Sequence, residues 1–357
     1  ALARLCEDLW EFWMQSSPTW ATYLGDPRFH GDLHDRRPVA ALDRNAARRS
    51  MLERLRGIRR GKLSDADDLT WQLVEHSLEE AIAREERGMD AWNLSSRRGP
   101  QVQFLTLAAD QPVGTPRERA DLLARWRSMA TELRQRGRNL EAALDDGFVA
   151  SRTQVEKVIA QLEVLLATPP HLSPLVEPAT GGGTWEDLPP NGNVTAFAAE
   201  HLGDARRNQE LRKVNLHLAD GLTLAQGAPV LLPAEDDVLP PRLRGRFLAD
   251  VWTTVEDDLY PAFREYKDLL ATTILPAARP DERAGILFVP GGNELYEDIA
   301  RSFTTLDLSP EEIHAVGTGE VERLTGEMVA LGRELFGAGA VAGPDSEPEL
   351  SVRTTSS

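Results

Sequence analysis

The sequence predicts an all-α protein, predominantly helical with at most a few short strands. Apolar residues recur at helical spacing through most of the 357 residues. Two segments open with a hydroxyl residue, a proline and a glutamate at capping-box spacing. These are Thr115-Pro116 with Glu118, and Ser309-Pro310 with Glu312. The best strand candidate is 285–290 (GILFVP), being short, apolar and partly β-branched.

The elements follow in order. Leu2, Leu5, Cys6, Leu9, Phe12 and Trp13 form one apolar stripe, which predicts a first helix limited by Pro18. Residues 19–38 carry Gly25, Pro27, Gly31 and Pro38 and read as an ordered loop around short helical pieces. Helices are expected over 41–60 and 65–88, with Ser64 and Asp67 as the cap of the second. The clearest helix spans 116–146. Ala120, Leu123, Trp126, Ala130, Leu133, Gly137, Leu140 and Leu144 make its seam, and Gly147 ends it. Ser151 and Gln154 start the second arm of a helical hairpin, with Val155, Val158, Ile159, Leu162 and Leu166 inward.

Residues 168–193 are rich in proline and glycine and separate a helical part at 1–167 from a second at 194–336. Helices resume over 204–226 and 241–275, and Pro261 predicts a kink or restart at Tyr260. A helix over 293–302 follows the strand candidate. The last helix starts at Ser309 and presents Ile313, Val316, Val321, Leu324, Met328, Leu331 and Leu335 on one face. Residues 337–357 lose apolar periodicity and are expected to be disordered.

Composition narrows the function. Asp and Glu number 57 against 40 Lys and Arg, a formal charge of −17. That argues against nucleic acid or an anionic membrane surface as the main partner. Nearly all basic residues are arginine, which reads as genomic base bias. Cys6 is the sole cysteine, which excludes an intrachain disulfide and a multi-thiolate zinc site. No apolar run approaches the roughly 20 residues of a membrane span. Nothing visible directs export, so a cytoplasmic location is expected, or an exported one if a signal preceded Ala1.

Candidate chemistry is sparse. None of the seven histidines forms His-Glu-x-x-His. His76 with Glu79 and Glu80 lacks the second imidazole and reads as a solvated helix face. His30 and His34 stand four apart, but Gly31 lies between them and two ligands do not make a metal site. Gly181–Gly183 lacks the Lys-Ser/Thr of a phosphate loop, and no Gly-x-Ser-x-Gly elbow occurs. The segment 285–314 is richer. Tyr296, Arg301, the Thr304–Thr305 pair and His314 could line a pocket that accepts a carboxylate or carbonyl. The plainer alternative is that the threonines support a turn and His314 lies on the surface.

The stretch GILFVPGGNELYEDIARSFTTLDLSPEEIHAVGTGEVERLTGEM (285–328) resembles the bacterial family called domain of unknown function 885. The similar features are Gly-x-x-x-x-Pro-x-Gly, a tyrosine, a Thr-Thr pair and Pro-Glu-Glu-Ile-His. PTWATYLGDPRF (18–29), the helical hairpin and YPAFREYKDLLATTILPAAR (260–279) fit in order, so the resemblance covers most of 1–336. It implies a helical zincin-type hydrolase, similar in architecture to neurolysin-like peptidases. The family's His-Glu-x-x-Pro-Gly-His-His metal motif lies downstream of the matched segment, so the resemblance places no zinc ligand or catalytic residue in this chain.

What the resemblance implies is an amino-terminal, cleft-wall portion of a zinc-dependent peptidase-like hydrolase, inactive alone. Tyr296, Arg301, Thr304, Thr305 and His314 would lie near the cleft. Zinc is expected only for the full-length member, and the partners would be a peptide substrate or the missing carboxy-terminal half. The rival expectation is a noncatalytic helical scaffold that binds a peptide or protein.

Overall fold

The computed structural model describes residues 1–337, except residue 93 and the stretches 190–192, 217–218, 221–222 and 225–226. The tail expected to be disordered lies, from 338 on, outside the described residues. The fold is predominantly all-α, and the chain divides into two compact units, Ala1–Pro290 and Gly291–Ser357.

In the first unit, α1 (Leu2–Ser16) runs into α2 (Pro18–Tyr23), where Pro18 takes an N-terminal position and starts the new helix. The loop at 24–37 leads to α3 (Pro38–Arg56) and α4 (Asp65–Glu86). Ser64 caps α4 by accepting the Asp67 N–H at 3.2 Å. Leu2, Leu5, Leu9, Leu52, Leu55, Trp71, Leu78 and Ile82 close a small core between α1, α3 and α4.

The main core is built around one long helix. After α5 (Met89–Trp92) and α6 (Pro100–Asp110) comes α7 (Pro116–Asp145), whose capping box is formed by Thr115 and Glu118. Leu122, Trp126, Met129, Leu133 and Leu140 are buried along it, as are Arg125 and Glu132. The buried surface is wider than the expected seam because α5 and the 241–277 helix both pack against α7. Ala120 of that seam is exposed. Gly147, at φ 79°, makes the turn into α8 (Arg152–Ala167). The expected hairpin does not close on itself: α7 and α8 each pack on the helix from 260 and hardly on one another.

The Pro/Gly-rich stretch contributes structure. Within it β1 (Thr184–Asp187) pairs antiparallel with β4 (Pro229–Leu232), in the register Trp185 opposite Leu231. α9 (Val194–Leu202) packs Phe197 and Ala198 onto Leu211 and Val230. The helix expected over 204–226 is confined to α10 (Asn208–Val214) after a 3-10 turn, with two-residue strands β2 (Ala219–Asp220) and β3 (Thr223–Leu224) beyond it. Asn215 explains the stop. Its buried side chain accepts the Leu231 N–H at 2.7 Å and donates to the Leu231 carbonyl at 2.9 Å, diverting the chain toward β4.

α11 (Pro241–Thr253), α12 (Tyr260–Leu269) and α13 (Leu275–Ala277) form one continuous helical run. The α-helix restarts at Tyr260, where Pro261 implied a kink or restart, but it does so out of a π-helical turn and without a gap in the run. A π-helical turn at Thr254–Leu259 precedes Pro261 and another at Leu270–Ile274 precedes Pro276. Each proline ring would crowd the carbonyl four residues back, and in both cases that carbonyl lies inside the widened turn. Two glycines sit at close approaches of this run. A Cβ on Gly137 would meet Leu269 Cδ2 at 2.9 Å, and one on Gly245 would meet the Lys213 carbonyl oxygen at 1.8 Å.

The expected strand at 285–290 is a 3-10 turn, Ile286–Phe288. Arg279 donates to the carbonyls of Arg283 and Gly285, both at 2.6 Å, and so holds the segment in a turn. The second unit consists, over its described residues, of α14 (Gly292–Thr304) and α15 (Pro310–Phe336).

Candidate functional site

The residues singled out from sequence all fall in the second unit. Gly291 at φ 63° allows the turn into α14. Three of the five meet at its other end. Arg301 reaches Asp298 at 3.5 Å and Asp307 at 3.1 Å. Thr304 donates to the Ala300 carbonyl at 2.9 Å and accepts the Leu306 N–H at 3.2 Å. Thr305 holds a left-handed φ of 58°, its N–H donating to the Arg301 carbonyl at 2.8 Å. It is the only non-glycine residue at positive φ among the described residues. Glycine or asparagine is usual at such a helix end, so a β-branched residue there is strained. Ser309 and Glu312 then close the α15 capping box.

Tyr296 and His314 stand apart from this corner. Tyr296 is exposed, and among the described residues its hydroxyl has no hydrogen-bond partner. His314 is exposed on the second turn of α15, where its carbonyl accepts the Thr318 hydroxyl at 3.0 Å. The corner can offer the Arg301 guanidinium and a helix-end geometry, but both threonine hydroxyls donate locally.

α15 has another feature. None of its residues is buried. Val316, Val321, Leu324, Met328, Leu331, Leu335 and Phe336 all stand exposed along it.

The first unit holds a polar arrangement that the sequence reading missed. Glu132 on α7 accepts Arg36 at 2.5 Å and Arg136 at 2.7 Å. Glu85 on α4 accepts Arg44 at 2.7 Å and Arg48 at 2.8 Å. Burial alone would raise both carboxyls, but the paired guanidiniums outweigh it and hold both below the usual range. His34 lies near Arg36, Arg44 and Glu132. Its Nδ1 donates to the Ser16 carbonyl at 2.8 Å, and burial, then Arg36, lowers its pKa. The available signals were the i,i+4 spacings Arg44–Arg48 and Glu132–Arg136, which are also common on solvated helices.

A second buried cation ties the loop at 24–37 to α7. Arg125 donates to the Asp32 carbonyl at 3.0 Å, to Gln111 Oε1 at 2.7 Å and to Thr22 Oγ1 at 2.8 Å. Burial pulls it down to about 10. Beside it His30 is buried with neither ring nitrogen partnered. Among the described residues no group of three or more His, Cys, Asp or Glu could hold a metal ion. Among them, too, no helix is long and apolar enough to cross a membrane.

No curated protein matches this chain. The crystal structure of a chain described as "the putative lipoprotein from Colwellia psychrerythraea" superposes with a TM-score of 0.70 at 16% identity, over 94% of this chain and 51% of that one. The fold is thus similar, and this chain spans about half the length of that solved chain. A family model described as bacterial protein of unknown function (DUF885) matches residues 18–355, and the chain therefore belongs to the DUF885 family.

Proposed function

We propose that this chain builds the amino-terminal wall of the substrate cleft in a zinc-dependent, peptidase-like hydrolase, with Tyr296, Arg301, Thr304, Thr305 and His314 on that wall. The observation that carries the reading is the bare face of α15. A helix of 27 residues with a complete capping box exposes seven large apolar side chains. Such a face stays in water at a cost of about 25 cal/mol per Å² of apolar surface, so it is built to be covered. A solved chain of the same fold about twice as long is consistent with further sequence doing so.

The residues described here do not fit zinc. A hydrolytic zinc needs three protein ligands around an open position, and no such cluster occurs among them. The metal, the activated water and the general base would come from outside these residues, and no hydrolytic step is assigned to them. The second reading is a noncatalytic scaffold that holds a peptide or protein partner. The α15 face favours it, together with the exposed Trp10, Trp13, Trp20 and Tyr23 of α1 and α2.

The purified chain is expected to carry no stoichiometric zinc and to leave peptides uncut. Chelator-sensitive hydrolysis by this chain alone would overturn the assignment of the metal to other sequence. Reading the coding DNA past Ser357 in all three frames separates the readings. A His-Glu-x-x-Pro-Gly-His-His segment supports the hydrolase. A genuine stop with no such segment leaves the scaffold.

A further inference from the structure

Arg36 of one arginine cluster and Arg44, Arg48 and Glu85 of the other line a cavity in the first unit. It has a volume of about 680 Å³ and is lined by the end of the 24–37 loop, α3, α4, α5 and α7. That is the size of a small-molecule site. Its lining includes the apolar Leu42, Trp92 and Phe148; the Trp92 and Phe148 rings stand 5.7 Å apart. The lining is also cationic, with Arg36, Arg44, Arg48, Arg84 and Arg87.

The charge balance there is unusual for so acidic a chain. Glu132 and Glu85 are two carboxylates that serve four guanidiniums: Arg36, Arg136, Arg44 and Arg48. The four arginine side chains are only 11–17% exposed. Arg84 at the rim makes no ion pair among the described residues. Besides Glu85, the carboxylates on the lining are Glu86, which is taken by Arg49, and Asp146, which is exposed at the end of α7. Buried charge is ordinarily matched one for one, because removing an unmatched guanidinium from water costs several kcal/mol. On the cavity lining itself Arg36, Arg44, Arg48, Arg84 and Arg87 stand against Glu85, Glu86 and Asp146, so positive charge exceeds negative there. Guanidiniums in this setting receive planar or tetrahedral oxyanions through two parallel hydrogen bonds. The buried Trp92 also has an Nε1–H with no acceptor among the described residues.

We infer that this cavity binds an organic oxyanion, a carboxylate or phosphate ester with an aryl or acyl body. The anionic end lies against Arg44, Arg48 and Arg84, and the body against Trp92, Phe148 and Leu42. A bare oxyanion would leave the apolar wall uncovered. A neutral apolar molecule would leave the excess guanidinium charge unanswered. The inference is independent of the hydrolase reading, since it concerns the first unit alone.

The test is calorimetric titration of the full chain with phenyl phosphate and with 4-phenylbutyrate. Inorganic phosphate and 4-phenylbutanol serve as the anion-only and body-only controls. At least one aryl anion is expected to saturate at one site per chain, at least tenfold tighter than either control. Which one binds distinguishes a phosphate ester from a carboxylate. Arg84→Glu, at an exposed position, should weaken that binding at least tenfold with the melting temperature unchanged. Ala41→Trp, which fills the cavity from α3, should abolish it. No saturable binding, equal binding of 4-phenylbutanol, or unchanged binding in both variants would overturn the assignment.

Discussion

α7 and α15 begin alike and end in opposite surroundings. Each opens with a hydroxyl residue, a proline and a glutamate that complete a capping box, and each runs for about 30 residues, 30 in one and 27 in the other. Yet α7 buries ten residues and α15 buries none. Caps and amphipathic spacing act within one or two turns, so they start a helix and orient its faces. Whether a face meets protein depends on residues far away in sequence, and within its own unit α7 has them.

The largest expected effect sharpens this contrast. Trp126→Ala on α7 removes a fully buried indole and its 2.9 Å hydrogen bond to the Leu175 carbonyl, and should cost about 3–5 kcal/mol. Leu324→Ala on α15 should cost about 0.5 kcal/mol or less. Urea unfolding of both variants measures the pair. Comparable losses would break the comparison and show that α15 is covered in solution.

Next is the charge that α7 buries. Glu132→Gln leaves Arg36 and Arg136 without their carboxylate and should cost about 3 kcal/mol at neutral pH. The folded chain holds Glu132 below the ordinary carboxylate range. As pH falls, the unfolded chain therefore binds the proton first. The contribution is complete above the unfolded value of about 4.3 and is lost as pH falls through the folded one. Unfolding midpoints followed into acid should fall less steeply in Glu132→Gln than in the parent chain.

His30 gives a smaller effect at milder pH. Burial, then Arg125, lowers its pKa, so its neutral form is favoured in the fold. Stability from this group is full above about pH 6.5 and declines as pH falls through the folded value. His30→Leu should flatten that decline, with little change at pH 8, because neither ring nitrogen has a partner to lose. A melting series from pH 8 to 5 reads it. An unchanged slope would locate the acid sensitivity elsewhere.

The capping boxes come next. Thr115→Ala should lower global stability by about 1 kcal/mol. Ser309→Ala should leave the urea midpoint unchanged and instead speed amide exchange at the start of α15. Smallest of all, Thr305→Gly relieves the left-handed backbone and should gain about 0.5 kcal/mol locally. Exchange rates across 300–306 would show it, and a loss would mean the threonine side chain is needed at that corner.

Much of the fold was legible because its signals are local. The Ser64, Thr115 and Ser309 caps bond as their spacing implies, at 3.2 Å in each case. GILFVP illustrates the limit. Its residues suit a strand, but a strand needs an edge to pair with, and the Arg279 guanidinium takes the carbonyls of Arg283 and Gly285 instead. Pro261 marked the restart of α-helix at Tyr260, but the π-helical turn that lets its ring fit was not legible in the sequence. The helix over 204–226 stopped at Asn215 for a bond made to Leu231, sixteen residues on. Of the five residues singled out, Arg301, Thr304 and Thr305 share one corner through local hydrogen bonds, whereas Tyr296 and His314 stand outside it.

The amino acids by themselves determined that this chain is helical, acidic and unable to span a membrane with any described helix. Caps, periodicity and net charge are properties of neighbouring residues or of composition, and need no knowledge of tertiary contacts. Only the tertiary structure decided that Arg36, 96 positions before Glu132, would share it with Arg136, or that Arg44 and Arg48 would meet on Glu85. An arginine in a helical pattern reads as solvated surface until the helices are packed. Packing removes the water, raises the cost of each unmatched charge and turns a common residue into part of a cavity wall.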